Sequence, residues 1–75
     1  MFKLNDKVRV NPENDNDCYN DFKDKLLIVT HVAKNKNQHP GYDDTCKGMG
    51  LYDLKDAITG KDINCSLYDY ELIKD

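Results

Sequence analysis

Residues 25–34, KLLIVTHVAK, constrain the fold more than any other stretch of the chain. Ile28, Val29, Thr30 and Val32 are all branched at Cβ, which stiffens χ1 and suits the pleated surface of a strand. Leu26 and Ile28 fall on one face and Leu27 and Val29 on the other, so the strand starts apolar on both sides. Such a strand belongs in the middle of a curled sheet, with Leu26, Ile28 and Val32, or else Leu27 and Val29, sharing the inside. A chain of 75 residues holds one core of this kind and no second. A domain of that size buries only about 60% of its unfolded surface. Residues 1–75 therefore read as a single domain.

The flanking segments supply the other strands. Phe2, Leu4, Val8 and Val10 alternate with Lys3, Lys7 and Arg9, the period of two of a half-buried strand, and Asn5-Asp6 interrupts it as a turn or bulge. Pro12 stops pairing, and residues 11–20 form a polar loop that Tyr19 or Phe22 folds back onto the core. Residues 49–58 and 61–67 read as a hairpin turning at Thr59-Gly60, with Ile63, Cys65 and Leu67 facing one way. Residues 66–70 suit a single 3₁₀ turn, and residues 70–73 a last short strand. Asp and Asn are abundant, and both favour turns over helix interiors. Alternation sends Val8, Val10, Ile28, Val32, Leu54, Ile63 and Leu72 to one core.

Charge and cysteine usage narrow the setting. Fourteen acids against eleven Lys plus Arg leave a formal charge of -3. No apolar run approaches the roughly 18–20 residues that span a bilayer, and MFKLNDKVRV has no apolar h-region, so a cytoplasmic protein with no membrane partner is expected. Cys18, Cys46 and Cys65 are an odd set without C-x-x-C spacing and read as free thiols. Asp and Lys along residues 1–4 and 72–75 blunt the sheet edges, which predicts a monomer. The bias to Asp, Asn and Lys, with Arg9 the single arginine, fits an AT-rich genome.

Five short strands, a long loop after each of the first two, and a one-turn link into the fifth give the order of an SH3-like small barrel. Leu4-Asn5-Asp6-Lys7-Val8-Arg9-Val10 resembles the opening of bacterial SH3-like and KOW-like barrels, with Asn5 where Gly is usual. YNDFKDKLLIVTHV over 19–32 looks like their second strand with its lead-in turn, although Asp24 stands where Gly is common. Leu67-Tyr68-Asp69-Tyr70-Glu71-Leu72-Ile73 is similar to the 3₁₀ turn and last strand of SH3 domains. The resemblance implies an all-β, five-stranded SH3-like barrel and licenses no function by itself. Size and composition also look like those of small accessory proteins of phages or mobile elements of AT-rich bacteria, which implies a binder or inhibitor of a host or virion protein, acting in the bacterial or host cytoplasm.

The loop from 35 to 48 is long for so small a domain, and such loops are more often functional than not. Its His39, Tyr42, Asp43 and Asp44, with Tyr52 on the next strand, are the expected partner-binding residues. Tyr19 and Tyr68 join them, because together with Tyr70 they resemble parts of the aromatic groove with which signalling SH3 domains bind proline helices. The chain has no Trp, on which that groove depends. Lys3, Lys7 and Arg9 form the best basic patch and suggest a KOW-like nucleic-acid or ribosome-associated module as the alternative, against the sign of the net charge. Glu13, Asp15, Asp17, Asp21 and Asp24 mimic a calcium loop, but Cys18 replaces its turning glycine. His39 with Cys46, or His31 with Cys18, supplies two zinc ligands where a structural site needs four. His31, His39 and Asp43-Asp44 are the titratable groups open to catalysis, yet a barrel this small is filled by its own side chains. A non-enzymatic module without metal or cofactor is expected.

Overall fold

The computed structural model describes residues 2–13, 21–43, 45 and 48–75. Among these, five strands form one antiparallel sheet: β1 (Lys7–Val10), β2 (Leu27–Ala33), β3 (Leu51–Asp56), β4 (Asp62–Tyr68) and β5 (Leu72–Lys74). A 3₁₀ turn, Asp69–Glu71, joins β4 to β5. The order across the sheet is β4-β3-β2-β1-β5, and β4 and β5 remain unpaired edges, so the sheet is open. The described residues contain no α-helix, and none of their segments is a helix long and apolar enough to cross a membrane.

Local chemistry sets the boundaries. Asn5 adopts φ 70, a left-handed conformation that Asn tolerates and most side chains resist. The turn it makes is closed by the Asp6 amide on the Lys3 carbonyl at 3.0 Å and by the Lys3 amide on the Asp6 carboxylate at 2.9 Å. The alternation from Phe2 therefore stops there: Leu4 is 58% exposed, and β1 begins only at Lys7. The β3–β4 turn is longer than Thr59-Gly60 alone. Asp56 and Lys61 close it, and the Asp56 carboxylate accepts the amides of Ile58 and Thr59 at 2.8 and 3.3 Å, an Asx-type turn that leaves Ile58 outside the sheet and exposed. Gly60 completes it at φ 73.

The core is one face of the curled sheet. Val8, Val10, Leu27, Val29, Tyr52, Leu54, Leu67 and Leu72, contributed by all five strands, are buried together, and Phe22 closes them from the loop before β2. Tyr19 lies outside the described residues. The alternation in 25–34 is broken by a bulge: Val29 pairs with Leu54, but His31 pairs with Asp53, so Thr30 is an extra residue. The core set expected from strict alternation is corrected accordingly. Leu27 and Val29 point inward before the bulge and Val32 after it, whereas Ile28 sits on the outer face in register with Lys7 and Lys55 and is only half-buried. Ile63, also expected inside, packs at the margin with Cys65.

Candidate functional site

The same bulge builds a second, outer face. Past Thr30, one row across β2, β3 and β4 reads His31, Asp53, Ser66, and the next reads Ala33, Leu51, Tyr68. Residues 35–43 of the following loop fold over both rows. Its first turn is held by the Lys34 amide on the Gln38 side chain at 2.7 Å and by the Gln38 amide on Asn35. The His31 ring nitrogen Nε2 contacts the Gln38 carbonyl at 3.1 Å. Beyond it, the Tyr42 ring seals Ala33 and Leu51 into a small separate cluster, edge-on to Tyr68 at 5.8 Å between centroids. Its hydroxyl donates to the Met49 carbonyl at 2.8 Å.

His39 pins the loop above the polar row. The Gly41 amide donates to His39 Nδ1 at 2.9 Å, which leaves the ring proton of neutral His39 on Nε2. Nε2 faces Asp53 Oδ1 at 3.1 Å and Ser66 Oγ at 3.1 Å, and the Ser66 hydroxyl donates to the same Asp53 oxygen. These three residue types invite comparison with a nucleophilic triad, but the connectivity differs. A triad base accepts the serine proton on one ring nitrogen while the other is held by the carboxylate. In this cluster one nitrogen meets both partners and the other is occupied by Gly41, so no lone pair is free to activate Ser66. The arrangement clamps a loop to a sheet. Among the described residues no group of three or more His, Cys, Asp and Glu is placed to hold a metal ion.

Tyr52 belongs to the opposite face. The expectation of a surface position beside the loop is corrected: Tyr52 is fully buried, because it stands in phase with Leu54 on the core side of β3. Its hydroxyl donates to Asp69 Oδ1 at 2.5 Å and accepts the Phe2 amide at 3.0 Å. The second Asp69 oxygen accepts the Gly50 amide at 2.6 Å. A Cβ on Gly50 would stand 2.5 Å from the Tyr52 hydroxyl, so only glycine lets the chain pass. Burial, then the bond to Asp69, pushes the Tyr52 pKa up to about 12. The 3₁₀ turn is thus fastened to the core from below.

What remains at the surface is the edge of the outer face. Tyr68 stacks on Tyr70 with planes 5° apart and centroids 6.3 Å apart, and Tyr70 is 62% exposed. The Tyr68 hydroxyl accepts the Asp43 amide at 2.7 Å, bringing the exposed Asp43 carboxylate beside the stack. Asp43 accepts the Thr45 amide at 2.9 Å, and that bond holds its pKa below the ordinary carboxylate value.

No known protein family, curated protein or solved structure matches this chain. Of the residues expected to bind a partner, Asp43 and Tyr68 come together at this edge, His39 and Tyr42 serve as the anchors beneath it, and Tyr52 is structural. Tyr19 and Asp44 lie outside the described residues, as do Cys18 and Cys46. Sequence reasoning missed the roles of Asp53, Ser66 and Asp69. The hairpin register carried a signal for the first two, since it sets Asp53 opposite Ser66.

Proposed function

We propose that this chain is a non-enzymatic protein-interaction module of SH3-like barrel type. The strand order, the curl that gathers all five strands round one core and the 3₁₀ turn before β5 support the architecture. The binding reading rests on one observation. The Tyr68–Tyr70 stack and Asp43 form an aromatic-acidic edge held on fixed backbone, while the loop residues behind them are engaged in anchoring. Exposed aromatics on a rigid support bind with little entropic loss, and a carboxylate ionised well into the acid range selects a basic group opposite. The partner class is a host or virion protein presenting an apolar and a basic side chain together.

Co-purification tests this reading. Asp43→Lys with Tyr70→Ala, in the full chain, should lose the partners that the unaltered bait recovers from a bacterial lysate. Recovery of the same set by both baits would refute it.

The KOW-like nucleic-acid reading draws less support. Arg9, central to its basic patch, is paired with Asp75 at 2.6 Å and also bonds the Asp24 carbonyl at 3.2 Å. Binding to RNA or DNA that falls steeply between about 50 and 200 mM salt would restore it.

A further inference from the structure

The N-terminal segment and the end of β2 carry a feature that the aromatic edge does not use. Phe2, Lys3, Leu4, Val32 and Lys34 line an open groove of about 350 Å³. Its apolar lining is held in place. Phe2 packs edge-on against Tyr52 with centroids 5.4 Å apart, and the left-handed turn at Asn5, bonded to the Val29 carbonyl at 2.8 Å, presents Leu4 on fixed backbone. Lys3 and Lys34 are both exposed and form no ion pair among the described residues. Two free ammonium groups beside an apolar groove, on a chain of net charge -3, define a local field opposite to that of the whole molecule.

We propose that this groove docks an acidic segment of a partner protein, with one apolar side chain seated against Leu4 and Val32 and flanking carboxylates paired with Lys3 and Lys34. The groove is short and flanked by two ammonium groups, which suits one apolar side chain with carboxylates on either side better than an acyl chain. The site is separate from the aromatic edge. Val32 packs on the main core, while Tyr42 and Tyr68 cover the opposite face of the sheet. The two proposals therefore stand or fall independently.

The test is a titration of the ¹⁵N-labelled full chain with a capped pentapeptide of one leucine flanked on each side by two aspartates. Saturable amide shifts are expected at Leu4, Val32 and Lys34, and they should weaken as salt is raised. Lys3→Glu and Lys34→Glu should each weaken binding roughly 5- to 10-fold, in keeping with loss of an exposed charge pair and its replacement by repulsion. Both substitutions lie on exposed side chains, and an unchanged thermal midpoint would show that the fold is intact. A peptide with alanine in place of leucine should bind more weakly still. The proposal is overturned if no saturable shift appears at these residues, if a peptide with lysines in place of the aspartates binds equally well, or if charge reversal changes nothing. Co-sedimentation with phosphatidylglycerol vesicles, in the absence of peptide binding, would overturn it in favour of a membrane surface.

Discussion

Replacing Tyr52 by Phe removes one oxygen atom from the polar link between the core and the 3₁₀ turn. The ring stays, so the core keeps its packing against Phe2 and Leu54. What is lost is a hydrogen bond of 2.5 Å to the Asp69 carboxylate and an acceptor for the Phe2 amide. A hydrogen bond to a charged group contributes about 1.5–3 kcal/mol net, and the half-buried Phe2 amide can turn to water, so the expected cost is about 2 kcal/mol. In a domain whose core supplies roughly 3–5 kcal/mol, this is close to half of the total. Urea unfolding followed by circular dichroism measures it, as a lower midpoint at an unchanged slope. Alkaline pH supplies an internal check. The tyrosine pKa rises from 10.0 to about 12 on folding, so the folded state holds the phenolic proton more tightly. This stabilisation is fully present below pH 10 and disappears as pH climbs toward 12. The Phe variant has no phenolic proton to lose, so its stability should fall less over the same interval. A cost below about 0.5 kcal/mol, or an identical alkaline slope, would refute the argument that this buried pair fastens the 3₁₀ turn.

Other substitutions probe the remaining links. Leu54→Ala should cost about 2–4 kcal/mol in urea unfolding, while Ile28→Ala, on the half-buried outer face, should cost roughly half as much; equal losses would contradict the bulge at Thr30. Asp56→Ala should lower the thermal midpoint at neutral pH. The Ile58 and Thr59 amides hold the Asp56 pKa below 3.8, so its stabilisation is present above that pH and vanishes as pH falls through the lowered value; the variant should converge on the parent in acid. His39→Ala should speed hydrogen exchange at Gly41 and Tyr42 while leaving β3 and β4 protected, because it releases the loop clamp and no core contact.

Much of the sheet is legible in the residues. The β-branched run at 27–33, the alternation Lys7 to Val10 and the Gly60 hairpin identify four strands, and the turn at 69–71 announces the fifth. What alternation cannot show is a break of register inside a strand. The extra residue Thr30 puts Leu27, Val29 and Val32 on one side and leaves Ile28 outside, and a second shift, between the pairs Lys55–Asp62 and Asp53–Ser66, sets Ser66 opposite Asp53 beneath the loop. The loop at 35–48 stands out by length alone. Its division into anchors and exposed surface depends on bonds between residues 14 to 27 positions apart, His39 to Asp53 and Ser66, and Asp43 to Tyr68 at 25, which no local pattern encodes. Tyr70 stands out in the sequence with Tyr68, but the parallel stack of the two rings is set by the 3₁₀ turn.

The most direct test of the aromatic-acidic edge is amide shift mapping of the ¹⁵N-labelled chain against a protein that co-purifies with it. Saturable shifts should centre on Asp43, Thr45 and residues 68–71, and spare Lys7, Arg9 and the exposed hairpin tip at Ile58. Shifts centred on Lys7 and Arg9, with Tyr68 and Tyr70 unmoved, would contradict the account.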